Sequence, residues 1–362
     1  MDDTVVPLTG VDELDKHLDQ LIADPTLASN IKLFDNVTLQ LTEVNIPPLI
    51  PRLLPKITEI LKQYQQDPAI LCELAIKLLG PLTFTQVMAL ASEDAIIQAM
   101  RSPAPSANLL AMAVLEKAAQ SPGEAAILAT LKNIVANFVV QWLSAPQVEV
   151  GEKGSKVLGD LLDVDCAVRP AQGVSLNGQE IVLRRPPGQG LVWRRIFHDR
   201  DIYGSILSLS SFGGHHHDAE GGLSDHQITL AQGRLLRLLP RLAALDLAAI
   251  TKTEFPDLHE RFTGEVEKNS NDEGLLQFAG LRMINNEDLL MHLSLIDFFE
   301  TLVSIQRITP FSTYKTETLG VLLRQAVSRD PELKSAIISL PERTVPEEAN
   351  DLRTFIGTLI RG

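Results

Sequence analysis

Three observations predict an all-α fold of stacked helical hairpins. A capping residue followed directly by proline recurs at Asp24-Pro25, Asp67-Pro68, Ser121-Pro122, Thr309-Pro310 and Asp330-Pro331. Asp, Ser or Thr accepts a hydrogen bond from the free amides of a first helical turn, and proline at the first helical position loses no bond there, so each pair should open a helix. The composition, 45% hydrophobic but only 5% aromatic and rich in leucine, suits interdigitating aliphatic helix faces. Pro25 and Pro68 stand 43 positions apart, near the period of about 40 to 47 of HEAT and armadillo units. The prediction is a HEAT/armadillo-like α-solenoid, one continuous helical-repeat domain over residues 1–362, in degenerate hairpins that bury one face only by stacking on their neighbours.

The elements follow in order. Val11, Leu14, Leu18, Leu21 and Ile22 have amphipathic spacing, predicting a helix over 11–23. Ile50, Leu53, Leu54, Ile57, Ile60 and Leu61 predict one over 48–66, with first turns made irregular by Pro47, Pro48, Pro51 and Pro55. From Pro68 an apolar stripe runs to Leu79 and stops at Gly80-Pro81. Helices are expected at 84–91, 93–101, 106–120 and 122–144, with capping boxes at Ser121/Glu124 and Ser224/Gln227. The leucine-rich stretch from Ile228 to Leu247 should break or kink at Pro240, and Asn285 and Asp288 should cap a long helix through Val303. Helices near 311–327, 331–340 and 346–360 close the chain. The last carries Leu352, Phe355, Ile356, Leu359 and Ile360, an apolar face that calls for a covering repeat; a longer chain is expected to melt higher.

Two segments depart from this rhythm. Val174 to Leu183 alternates around Asn177-Gly178, the dipeptide of a two-residue turn, so a small β-hairpin insertion is expected near 174–183 within 173–190. Residues 211–223 hold four glycines and His215, His216 and His217, and should form a flexible loop. Consecutive imidazoles in such a loop cannot converge on one ion, so no metal is assigned.

The balance of 46 acidic against 32 basic side chains, net −14, repels polyphosphate and argues against nucleic acid. Cys72 and Cys166 each lie among apolar residues and read as small buried thiols of a reducing compartment. The acidic start Met1-Asp2-Asp3 is unlike a secretory leader, and no apolar run approaches a bilayer span. A cytoplasmic protein is expected, with the nucleus as a second setting. No nucleophile elbow, phosphate loop, zinc helix or paired-cysteine spacing is present, so neither enzyme nor cofactor is expected. A transport adaptor would need Trp ladders, and only Trp142 and Trp193 occur.

Residues 193–203 are the densest mixture of aromatic and charged side chains, with arginines and aromatics of the kind enriched at interaction hot spots. Trp193 and Phe197 read equally well as core, and Asp199 or Asp201 as the cap of a following helix. Residues 191–209, with Trp193, Arg194, Phe197, Asp199, Asp201, Ile202 and Tyr203, together with the preceding 154–165 helix, resemble the HEAT-like assembly chaperones of the proteasome base. The resemblance implies a curved, non-enzymatic repeat protein, with no cofactor. It would bind the C-terminal domain of one ATPase subunit of the regulatory particle while the hexameric ring assembles. Lys156, Asp160, Arg194, Arg195 and Asp199 are the candidate partner-binding residues, and the chain alone is expected as a monomer.

Overall fold

The computed structural model describes residues 8–167, 173–176, 179–182, 186–212, 223–263 and 273–361. Among them twenty α-helices carry the packing, an all-helical architecture consistent with an α-solenoid. Contacts divide the chain into two compact units, Met1–Phe138 and Val139–Gly362.

In the first unit α1 (Val11–Ala23) buries Val11, Leu14, Leu18 and Leu21 as the spacing requires. The pair Asp24-Pro25 opens no helix. The Asp24 carboxylate accepts the Thr26 amide and hydroxyl, 3.0 and 2.6 Å, within its own turn. The helix start passes to Asn30, whose side chain accepts Leu33 N–H at the head of α2 (Ile31–Gln40). α3 (Ile50–Leu61) follows a 3-10 turn, Pro47–Leu49, that takes up Pro47 and Pro48, while Pro51 sits in its first turn and Pro55 within it. α4 (Ala69–Leu79) starts where Asp67 accepts Ala69 N–H. α5 (Phe84–Leu90) carries a capping box of Thr83 and Gln86, and Ser92 caps α6 (Glu93–Arg101). α7 (Pro105–Ala118) and α8 (Pro122–Thr130) complete the unit with the first turns of α9 (Lys132–Ser144). The expected single helix over 122–144 is thus two, broken at Leu131. Ser121 caps α8, but the Glu124 carboxylate leaves its expected box to accept Thr85 N–H and Oγ1 of α5, 2.9 and 2.7 Å.

The repeat is written most clearly in the bonds between neighbouring helices. Within the first unit Arg52 binds Asp12 and Asp15 at separations of 40 and 37 residues. Glu124 meets Thr85 at 39, and Arg101 donates to Asn137 at 36. Lys117 donates to the Gly80 carbonyl at 37. Within the second unit His292 meets Asp330 at 38, Arg307 meets Glu348 at 41 and Arg343 meets Glu300 at 43. A side chain that reaches the same kind of neighbour one repeat away, in both units, is what a stack of similar hairpins produces.

The second unit breaks that period at its start. α10 (Val148–Val164) packs chiefly on α13 (Asp225–Leu245) and only lightly on the next helix in sequence, and Arg241 reaches Asp160 across 81 residues. The intervening chain holds strand β1 (Gly173–Leu176), paired antiparallel with β2 (Gln179–Val182), then α11 (Leu191–Phe197) and α12 (Arg200–Ser210). An insertion with a defined place in the fold is not supported at 174–183, because residues 177–178 and both flanks of the two strands lie outside the described residues. The same holds for 213–222, including His215, His216 and His217. Pro240 does not break α13, which runs uninterrupted from the Ser224/Gln227 capping box.

Beyond α13 come α14 (Leu247–Thr251), α15 (Pro256–Thr263), α16 (Leu275–Leu281), α17 (Leu289–Ile308), α18 (Thr313–Arg329), α19 (Pro331–Ser339) and α20 (Pro346–Arg361). α10, α13, α17 and α20 touch in succession, while α16 packs on α18 and α13. The pair Thr309-Pro310 ends a helix instead of opening one. Thr309 returns its hydroxyl to the Gln306 carbonyl, and α18 is capped by Ser312. A proline just past a helix is a stop signal, and the preceding apolar run outweighs the cap reading here. Asp330-Pro331 behaves as expected, Asp330 accepting Glu332 and Leu333 N–H.

α17 is, contrary to the sequence reading, long and apolar enough by composition to cross a bilayer. It instead buries Met291, Leu295, Phe298, Phe299, Leu302 and Val303 between neighbouring helices, and its Glu300 pairs with Arg343.

Buried cations finish several helix ends. Arg234, 8% exposed, donates to the carbonyls of Trp142 and Leu143 in the last turn of α9 and of Ala145 and Gln147 just beyond it, at 2.7–3.2 Å. Burial, with Arg237 nearby, pushes its guanidinium down to about 10, still charged at neutral pH. Lys315 does the same for Gln306, Thr309 and Pro310 after α17. A cation at a helix C-terminus meets both the unpaired carbonyls and the negative end of the dipole.

Tyr203 and His259 tie α12 to α15, hydroxyl to Nε2 at 2.8 Å. Burial, and secondarily Arg282, pushes His259 down to about 4. Unfolded, the same imidazole takes a proton below about 6.5, so this group favours unfolding progressively as pH falls from about 6.5 toward 4, by about 3 kcal/mol in full. His259→Gln is expected to be less stable than the parent at pH 7.5, with the gap narrowing toward pH 4.5. Urea melts at both pH values measure it, and an unchanged gap would contradict the neutral buried imidazole.

Candidate interaction surface

α10 sets Glu152, Lys156, Asp160 and Asp163 at spacings of four, four and three, which is one helix face. Opposite them α13 sets Arg237 and Arg241 one turn apart. Asp160 accepts Lys156 Nζ at 3.0 Å and an Arg241 guanidinium N–H at 2.9 Å, and Arg241 stands 3.9 Å from Asp163. Burial raises the Asp160 carboxyl, but the hydrogen bonds from Arg241 and Lys156 outweigh it and hold the group below its ordinary value. Arg237 approaches Glu152 at 3.8 Å and is largely exposed.

This charged ladder borders an apolar depression. Between α13 and α17 a hollow of about 370 Å³ is walled by Gly233, Leu236, Arg237 and Pro240 on one side and Leu290, Leu293 and Asp297 on the other. Leu290 and Leu293 are 72% and 53% exposed. Large aliphatic side chains left in water beside partly screened ion pairs have the layout of a protein interface, an apolar centre with a charged rim. Exposed pairs of this kind contribute about 0–1 kcal/mol each to stability, so they can exchange partners without unfolding the scaffold.

The other three sequence candidates lie at the turn between α11 and α12. Trp193, Ile196 and Phe197 face the core, Trp193 donating its indole N–H to Leu162 O at 2.8 Å and stacking on Phe197 at 5.4 Å. Arg194 is exposed. Arg195 pairs with Asp199 at 2.9 Å, and Asp199, its side chain 11% exposed, accepts Asp201 and Ile202 N–H as the cap of α12. Asp199 is therefore a structural cap, Asp201 is not, and Arg194 is the member of this group turned to solvent.

Asp165 fixes this turn relative to α10. Fully buried, it accepts the amides of Gln189, Val192 and Trp193 at 3.2, 2.6 and 3.3 Å, capping α11 from the end of α10. The sequence reading passed over Asp165, Arg237, Arg241 and the exposed leucines of α17. The three-four spacing of Arg234, Arg237 and Arg241 opposite the polar stripe of α10 was the available signal, but it shows only once α10 and α13 are known to be neighbours. Among the described residues no group of three or more His, Cys, Asp or Glu side chains could hold a metal ion.

Stacked helical hairpins of this kind define a helical-repeat protein. Residues 14–141 match the family model described as DNA mismatch repair protein HSM3, N terminal domain. Over those residues the chain is similar to that domain, and the match bears out the resemblance to the proteasome base-assembly chaperone family, to which that description refers. It falls on the first unit and the start of the second, whereas residues 191–209, which carried the resemblance, lie beyond it. No curated protein matches the chain.

Proposed function

We propose that this protein is a non-enzymatic assembly chaperone that binds the C-terminal domain of one proteasome regulatory-particle ATPase subunit while the base is being built. The family match over 14–141, on an all-helical stack, carries the reading. The client surface is the α10/α13/α17 face, with Lys156, Asp160, Arg237 and Arg241 as its charged rim and Leu290 and Leu293 as its apolar centre. It acts in the cytoplasm, alone as a monomer, and without nucleic acid, membrane or cofactor. The net charge of −14 supports a basic protein client over DNA, whatever the mismatch-repair wording of the family description.

Affinity capture from a cell extract is expected to recover a single regulatory-particle ATPase subunit. Replacing Lys156, Asp160, Arg194, Arg195 and Asp199 together by alanine is expected to weaken that capture about tenfold or more. Loss of the Asp199 cap should lower the melting point by only a few degrees. The variant Leu290→Asp/Leu293→Asp should abolish capture while melting as the parent does, because both side chains already face water. Undiminished capture by both variants would remove this face from the proposal.

A further inference from the structure

The first unit carries a second, separate feature, an open apolar groove of about 570 Å³ between α3 and α6 with α4 and α7 as its floor. α3 lines it with Leu54, Ile57, Thr58 and Leu61, and α6 and the residue after it with Ala95, Gln98, Ala99 and Ser102. α7 contributes Ala107, Leu110, Ala111 and Val114. Each set has the spacing i, i+3, i+4, i+7, the stripe that one helix presents to another packed along it. Elsewhere in this unit such stripes are covered, as α1 covers α3 and α6 covers part of α7. Here three converge on the groove, with Leu54, Ile57, Ala111 and Val114 buried at its base and the rest of each stripe partly exposed. The stripe on α3 spans two turns, about 10 Å, so it is matched by a helix of about three turns lying parallel to its walls. Ala75, Ala107 and Ala111 make half of the floor, which leaves room for large aliphatic side chains from the occupant.

The charge of the lining is the reverse of the chain's. In a protein of net −14, no carboxylate lines the groove, and its one ionic side chain is Lys62 at the rim. Lys62 is held only by an exposed pair with Glu59, three residues away at 3.0 Å, a contact weak enough to be exchanged for a partner's carboxylate. The remaining rim is amide: Gln65, Gln66 and Gln98.

We infer that this groove is a docking site for an amphipathic helix of a protein partner, one with bulky aliphatic residues at i, i+3, i+4 and i+7 and an acidic flank that meets Lys62. The mode is helix-in-groove recognition. It is independent of the client surface on the second unit.

The probe is a fluorescein-labelled, lactam-stapled helix of about 15 residues with leucine on one face and Glu and Gln on the other, paired with a Lys and Gln counterpart. Fluorescence anisotropy with the full chain is expected to show micromolar binding of the acidic probe and at least tenfold weaker binding of the basic one. Ala99→Phe, which fills the groove, should weaken the acidic probe at least tenfold. Lys62→Glu, at an exposed position that cannot unfold the protein, should reverse the preference between the two probes. A photoreactive leucine in the probe should crosslink to α3, α6 or α7. The five-alanine variant of the second unit should bind the acidic probe as the parent does, which separates failure here from failure of the proposed function. Equal binding of both probes, crosslinks outside these three helices, or self-association of the chain that Ala99→Phe abolishes would each overturn the inference, the last in favour of a second copy as the occupant.

Discussion

Arg234→Ala is expected to destabilise the second unit by about 3 kcal/mol or more, from buried carbonyls left without a donor and the cavity the side chain leaves. The guanidinium donates to four carbonyls around the end of α9, at Trp142, Leu143, Ala145 and Gln147, the last of which also accepts Gly151 N–H. Without it the Trp142, Leu143 and Ala145 carbonyls lose this donor, and a cavity opens beside them. For a unit of this size the loss corresponds to a fall in melting temperature of about 10 °C. Gly151 supplies the internal control. A Cβ there would stand 2.0 Å from Arg234 Nε, and a side chain pinned by four hydrogen bonds cannot step aside. Gly151→Ala should therefore be strongly destabilising in the parent and close to neutral in the Arg234→Ala background. Calorimetric melts of the two single variants and the double variant measure this coupling, and simple additivity would show that the glycine is not there for the arginine.

Gly188→Ala is the second large effect. Its Cβ would lie 2.0–2.5 Å from the carbonyl carbon, oxygen and Cα of Asp165, all backbone, so no side-chain rotation relieves the collision. The backbone at Gly188 must move away from Asp165. It would lose Gly188 N–H to Cys166 O and Gly190 N–H to Asp165 O, 2.9 and 3.0 Å, and with them the Asp165 cap on α11. A loss of about 3 kcal/mol or more is expected, the class of cost seen when a cap and its surrounding network break together. Trp193 reports it directly, because its indole bond to Leu162 O depends on where α11 begins. Its emission should shift to the red and become quenchable by acrylamide, while Trp142, buried elsewhere in the unit, stays protected. Parent-like emission and melting from Gly188→Ala would contradict the close approach.

Much of the architecture was legible because it rests on local chemistry. The stripe Val11, Leu14, Leu18, Leu21 announced α1, and Ser121, Ser224, Asp288 and Asp330 cap the helices they were expected to cap. Two of the five proline pairs misled, and for different reasons. Asp24 closes an Asx turn on Thr26, and Thr309-Pro310 follows a helix that had not yet ended. Helices with thin buried faces escaped notice. α2 buries only Phe34 and Val37 and leaves Leu39 exposed, so it has almost no periodic signal. The neighbour relation of α10 and α13, 81 residues apart at the Asp160–Arg241 contact, cannot be read from either helix alone.

The candidate site divides along the same line. That Lys156 and Asp160 share a helix face is a local fact that the spacing contains. Their connection to Arg241, and the placement of Leu290 and Leu293 beside that cluster, depends on which helices stack. Asp199 illustrates the reverse error: a charged residue in an aromatic segment suggested a contact surface, but its carboxylate is committed to the first amides of α12.

The proposed client is one polypeptide, held by the second unit's charged and apolar face. The most direct measurement is a calorimetric titration of the purified chain with the isolated C-terminal domain of each regulatory-particle ATPase subunit in turn. One domain is expected to bind at one to one with Kd of about 1 µM or tighter, weakened by salt as its charged rim is screened and lost in Leu290→Asp/Leu293→Asp. No heat from any of the domains, alongside salt-sensitive binding of duplex DNA, would contradict the account.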